Sequence, residues 1–328
     1  MAKRRLYAYR KGTGGSETVK SVSEQLAALR ELLVQDHPDL IAVGLGKRQR
    51  CGALVPETVV KLVVPEKLGR KELEVSQRLP RRVRLGTTVY GQKVSVWVPT
   101  DIEALPPMEP SFEVGQMKAT ALARWGDSPT RFGFITAGHG LPAPGATVEV
   151  QLVDGNGTGV VRERSNLTQT GLDVGLVEVP DGNKLLDTGP LTPTTLESQE
   201  LEALVGSKED LLTLSARSWA ESGLPPMFAI AYYTELPIPT TSGTLTLRHA
   251  LHCRSPFGIF TKSRSGGSWV SVNTIGQPHA LVAIQSHGSQ DAFDQGLGTD
   301  FKKALEWLIC QSPSYADLTW ASRKQDLF

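Results

Sequence analysis

The chain is short of cysteine, of long apolar runs and of net charge, and each shortage narrows what it can be. Only three of its 328 residues are cysteine, Cys51, Cys253 and Cys310, and they lie far apart. An odd, scattered set argues against a disulfide framework and suits a reducing compartment, with each thiol read as a small buried apolar group. No stretch reaches the about 18 apolar residues that a membrane span needs. The basic start MAKRRLYAYRKGTGG is followed by no apolar run of signal-peptide length. The expectation is a cytoplasmic protein that does not engage a membrane. A formal net charge of +1 gives no electrostatic reason to expect nucleic acid as a partner. What is present, 40% apolar and 21% charged residues, fits a globular protein with material for one large core or two ordinary ones.

The front of the chain reads as a small α/β module, residues 1–107. In VKSVSEQLAALRELLVQ (19–35), Val19, Val22, Leu26, Leu29 and Leu33 recur every three or four positions, the pattern of an amphipathic helix, with Val19 just outside its start. Ser21 with Glu24 forms the S-x-x-E pattern of a capping box. Pro38 pushes the residue before it out of helical geometry and so ends the helix. The runs 41–47, 58–64 and 93–99 are rich in β-branched residues and read as strands. The proline-rich EALPPMEPS (103–111) reads as a linker.

From residue 112 the texture becomes mainly β. Short strand candidates recur with glycine between them, at 131–138, 146–153, 157–164, 173–179, 227–233, 243–251, 265–272 and 279–286. A C-terminal helix is expected over 299–311, with Phe301, Leu305 and Leu308 on one face and Thr299 as its cap. Residues 311–328 form a tail whose Leu318, Trp320 and Phe328 could dock on the body or on a partner.

Three stretches carry chemistry together. FITAGHG (134–140) ends an apolar strand in a small-residue turn that presents His139. GLDVGLVEV (171–179) opens a strand at Asp173. SRSGGSWV (263–270) presents Ser265 before two glycines. A serine hydroxyl needs an adjacent base to become a nucleophile. A histidine near its free pKa can be that base. A carboxylate on the far ring nitrogen fixes the tautomer. Each stretch alone has an ordinary reading, as a structural histidine, a capping aspartate or a turn serine.

In their order and local pattern, ITAGH, LDVGLVEV and SGGSWV resemble the His, Asp and Ser motifs of the trypsin-like, chymotrypsin-fold serine peptidases. ALVAIQSHG (280–288) resembles that family's substrate-binding strand, and GLGTDFKKALEWL (296–308) its closing strand and last helix. The segment 41–68 resembles, more loosely, one that precedes intracellular bacterial peptidase domains. The resemblance implies a two-barrel peptidase domain over 112–310, with barrels at about 112–180 and 196–310. It implies Ser265 as nucleophile, His139 as base and Asp173 as its orienting carboxylate. It implies an oxyanion hole from the backbone amides of Ser263 and Ser265. Substrate backbone would add as a strand beside Ser286, His287 and Gly288. Ile259 would form the floor of the side-chain pocket, and Gly288 and Gly296 its walls. It implies no cofactor and no metal. The partners it implies are a protein substrate cut selectively and a regulatory protein, or self-association, acting through the N-terminal module.

Two departures from the family pattern stand beside the nucleophile. Ser263 occupies a position usually held by glycine. Arg264 replaces the aspartate that, in zymogen-type members, pairs with a newly cut amino terminus, so activation by that route is not expected. Arg264 is read instead as pairing with an acidic residue elsewhere or pointing to solvent. Two other readings differ in kind. One is a catalytically inactive pseudo-peptidase that holds peptides uncut. The other is a metal site in RHALHC (248–253), where strand alternation sends His252 and Cys253 to opposite faces.

Overall fold

The computed structural model describes residues 21–50, 53–69, 72–74, 77–89, 92–110, 118–127, 129–152, 155–180, 182, 185, 195–197, 200–201, 205, 213–217, 226–240, 243–256, 258–261, 264–272, 278–290 and 292–321. It is mainly β, with two sheets and a C-terminal helix.

Helix α1 spans Val22–Asp36 and begins where its cap demands. The Ser21 hydroxyl accepts from the Glu24 amide at 3.2 Å, and the Glu24 carboxylate accepts from the Ser21 amide at 2.7 Å. His37, just before Pro38, closes it with its amide on Leu33 O at 2.8 Å. Four strands follow: β1 (Ala42–Arg50), β2 (Ala53–Val64), β3 (Arg82–Val89) and β4 (Gln92–Ala104). Leu26, Leu29 and Leu33 of α1 pack on Val43, Leu45, Val60, Leu62, Val83 and Leu85. β3 is additional to the expected strands, although Arg82-Val83-Arg84-Leu85 alternates with the period of a half-buried strand.

The second part of the chain supplies β6 (Ala121–Trp125), β7 (Arg131–Thr136), β8 (Thr147–Leu152), β9 (Gly155–Arg164), β10 (Gly175–Glu178) and the late β17 (Thr319–Ala321). These form one sheet in the order β17-β6-β7-β10-β9-β8. The rest are β11 (Thr213–Arg217), β12 (Pro226–Thr240), β13 (Gly243–Arg254), β14 (Ser268–Val272), β15 (Pro278–Ser289) and β16 (Gln295–Asp300). They run β11-β14-β15-β16-β13-β12, and β11 also pairs with β12, so the ladders close into a ring. β1 adds to the outer flank of β12 through Gly44↔Tyr233, Leu45↔Tyr232 and Gly46↔Ala231, which makes the front strands a continuation of this sheet.

Inside the ring lie Tyr232, Leu251, Cys253, Trp269, Val282 and Ala283. Leu122, Val150, Val161 and Val177 fill the other sheet. A third cluster joins the two: Trp125, Ile135, Val174 and Leu176 from one side meet Val270, Leu281 and Ile284 from the other. Phe301, Leu305 and Leu308 of the C-terminal helix seal it.

Two expectations need correction, the helix cap and the linker, while the tail docks on the body as one of its two readings had it. The helix is Phe301–Gln311, and its cap is Asp300, whose carboxylate accepts from the Lys302 and Lys303 amides. Thr299 stays in β16, and a carboxylate is the stronger partner for the bare amides and positive end of a helix. The tail adds β17 to β6, with Leu318 buried and the Trp320 ring edge-on to Phe301 at 5.0 Å; Phe328 lies outside the described residues. Finally, the proline-rich stretch is not only a connection. Met108–Pro110 forms β5, an edge strand on β15, where a residue without an N–H is tolerated.

Leu33 is fully buried, so Leu33→Ala is expected to cost about 2–5 kcal/mol, against about 1 kcal/mol for Ser21→Ala. Urea unfolding checks both, and an unchanged midpoint for Leu33→Ala would contradict the packing of α1.

Candidate active site

The described residues His139, Asp173 and Ser265 come together at the joint between the two sheets. His139 follows β7 in a turn. Asp173 lies two residues before β10, which pairs with β7 through Gly175↔Thr136 and so brings the two side by side. Ser265 enters from the ring, in the turn before β14.

The His139 amide donates to Asp173 Oδ1 at 2.9 Å, and its Nδ1 meets Asp173 Oδ2 at 2.5 Å. On the other side of the imidazole, Nε2 lies 2.9 Å from Ser265 Oγ. Asp173 is fully buried, and a third donor, the Ser286 hydroxyl, also reaches its Oδ2. Burial would raise this carboxyl, but its interactions with the His139 imidazole and the Ser286 hydroxyl, with a lesser electrostatic contribution from His287, outweigh it. They hold Asp173 well below the usual carboxylate range. The ionised Asp173 only accepts, so Nδ1 of His139 carries the proton. Nε2 then presents a lone pair to Ser265 Oγ.

Several backbone contacts brace the serine. Lys118 N–H donates to Ser265 O at 2.8 Å, Thr120 Oγ1 donates to Gly266 O at 2.5 Å, and Thr136 Oγ1 donates to Lys118 O at 2.7 Å. Gly266 has φ +78°, and a Cβ there would stand 2.2 Å from both Lys118 O and Thr136 Oγ1, so no other residue fits this turn. Arg264 continues the turn with its amide on Thr261 O at 3.1 Å. Ser263 lies outside the described residues.

Sequence reasoning reads Ser286 only as backbone for substrate. The ladder between β15 and β16 shifts register between Gln285 and His287, which leaves Ser286 as a bulge residue. Bulges re-aim side chains, and this one turns the Ser286 hydroxyl to a carboxylate 113 positions away in sequence. Since that hydroxyl gives its one proton to Asp173, it accepts from Nδ1 of His287 at 2.7 Å. Nε2 of His287 is buried and has no hydrogen-bond partner among the described residues. The rings of His287 and His139 have centroids 6.0 Å apart. Thr299, expected as a helix cap, instead accepts from the Asp173 amide at 3.2 Å.

The residues expected to shape a side-chain pocket also lie together, around Phe260. A Cβ on Gly288 would stand 2.1 Å from Phe260 O, and one on Gly296 would stand 2.3 Å from Phe260 Cδ1. The two glycines therefore receive Phe260, whose ring packs edge-on to Trp269 at 5.7 Å, and Ile259 is buried in the same cluster.

His252 and Cys253 of the other candidate stretch are both buried. His252 Nε2 meets Gln295 Oε1 at 3.0 Å. No group of three or more metal-ligating side chains occurs among the described residues. No known family model matches the chain, and no curated protein is significantly similar to it.

Burial lowers His287 to about 4, against the raising effect of Asp173. A histidine held neutral in the fold charges more readily when unfolded. Its contribution is therefore complete above the ordinary value near 6.5 and is lost as pH falls toward 4. Between pH 7 and pH 5 the loss from His287 is on the order of 1–2 kcal/mol. Chemical denaturation at the two pH values should give a shallower slope for His287→Gln than for the unaltered protein. Equal slopes would contradict a neutral, buried His287.

Proposed function

We propose that the chain is a serine endopeptidase of the trypsin-like, chymotrypsin-fold kind. On this reading the closed ring and the six-stranded sheet are its two barrels. It would act in the cytoplasm on a protein substrate, by selective, limited cleavage. The observation that supports this best is the unbroken chain from Ser265 Oγ through both nitrogens of His139 to Asp173, at 2.9 and 2.5 Å.

In the proposed reaction Ser265 Oγ attacks the carbonyl carbon of the scissile peptide as His139 Nε2 takes its proton. The imidazolium that forms is stabilised by ionised Asp173, which keeps its own proton count unchanged. The same proton then passes to the leaving amine, and the acyl group remains on Ser265. A water, deprotonated by His139, hydrolyses the ester and restores the hydroxyl. The oxyanion would be met by the Ser265 amide and, by the family pattern, that of Ser263. A donor of this kind contributes about 3 kcal/mol to the transition state. Ser286 acts as a positioning residue, because its hydroxyl touches the carboxylate and not the reacting atoms. The front strands, continuous with β12, are where a regulatory protein or a second copy would bear on the domain.

A fluorophosphonate probe tests the reading. Overnight incubation should place one phosphonyl group on Ser265, none on Ser265→Ala, and about 10⁴-fold less in rate on Asp173→Asn, which presents the wrong tautomer. Failure of the unaltered protein to label would leave the pseudo-peptidase, a fold that binds peptides without cutting them.

A further inference from the structure

A strand has two hydrogen-bonding edges. Over His287–Ser289, β15 gives one to β16, with His287↔Leu297 and Gly288↔Gly296. The other is the edge on which an extended substrate would have to add. β5 already holds it, antiparallel, with His287↔Pro110, Gly288↔Glu109 and Ser289↔Met108.

This occupant is well anchored. Met108 is 1% exposed and packs with Ala42 and Val63 of the front strands and Ile230, Tyr233 and Leu297 of the ring. Gln290 grips the strand twice, by its amide to Pro107 O at 3.2 Å and by Nε2 to Glu109 Oε1 at 2.5 Å. Two further observations fit a covered cleft. Ser265 is fully buried although its hydroxyl is aligned on His139, and Nε2 of His287, whose backbone pairs in register with Pro110, has no hydrogen-bond partner among the described residues. Pro110 has no N–H, and a substrate residue in its place would have one.

We propose that β5 is a built-in competitor for the peptide-binding edge, so that the folded chain is latent and admits a protein substrate only when this strand leaves. The proposal rests on the peptidase reading of Ser265. It also gives the front module a role, because β5 follows β4 directly and its anchor Met108 lies in a core that β1 and β2 help to build. Whatever moves those strands loosens the occupant.

The test uses the full chain, with fluorescein-labelled casein reporting access to the edge and the fluorophosphonate probe reporting the serine. Met108→Ala removes the anchor and should raise casein cleavage by about 10-fold or more, as expected for a large-to-small change at a buried site. Met108→Cys combined with Ser289→Cys places two thiols on facing residues. Oxidation should abolish casein cleavage, and dithiothreitol should restore it. If Ser265 labels in every form and casein cleavage is the same with the strand loosened, locked or unaltered, β5 is not a competitor. If the unaltered protein does not label, the peptidase reading itself fails, and the latency proposal with it. Should Met108→Ala not fold, the reversible lock decides alone.

Discussion

The arrangement turns on a single carboxylate taken wholly out of water. Burying a charge is expensive unless hydrogen bonds replace the lost solvent. Asp173 obtains three donors, from the His139 amide, the His139 ring and the Ser286 hydroxyl. Two of these belong to the turn after β7 and one to β15, so satisfying the charge requires both sheets to be in place. The Asp173 amide adds another tie across the joint by donating to Thr299. The apolar cluster around Trp125, Leu176, Val270 and Ile284 supplies cohesion there, and the carboxylate supplies direction.

From that constraint the rest follows in order. With Asp173 ionised, the His139 tautomer is set, and Nε2 faces the serine as an acceptor. Ser265 is held from the opposite side by the Lys118 and Thr120 contacts and by a glycine turn that admits no side chain. The Ser286 hydroxyl, donating to Asp173, in turn sets the proton of His287 on Nδ1 and leaves its Nε2 without a hydrogen-bond partner among the described residues. Chemistry and access are thus linked through β15: its bulge orients the carboxylate, and its last residues carry the proposed competitor.

Local signals were legible in the sequence, and long-range ones largely were not. The α1 cap could be read because Ser21 and Glu24 are three residues apart, and β7–β10 and β12–β15 because glycine punctuates their apolar runs, whereas β6, β11 and β17 were not read. His139, Asp173 and Ser265 stood out because each sits where an apolar run meets a small-residue turn. Ser286 gave no such signal, since a bulge in β15 decides where its hydroxyl points. Thr299 and Asp300 both look like caps, and only the end of β16 separates them. Phe260 reads as an ordinary core residue until Gly288 and Gly296 fold against it. β5 was hidden by its prolines, which mark a linker in isolation and an edge strand once a neighbour exists. The pairing of β1 with β12 had no local trace at all.

The central claim, that Ser265 is a nucleophile served by His139, is tested most directly by rapid mixing with a chromogenic p-nitrophenyl ester, too small to need the edge held by β5. The account predicts a burst of one nitrophenolate per chain, followed by slow turnover, with the acyl group found on Ser265 by mass spectrometry of the quenched protein. A trace with no burst, or an acyl group located on any other residue, would contradict it.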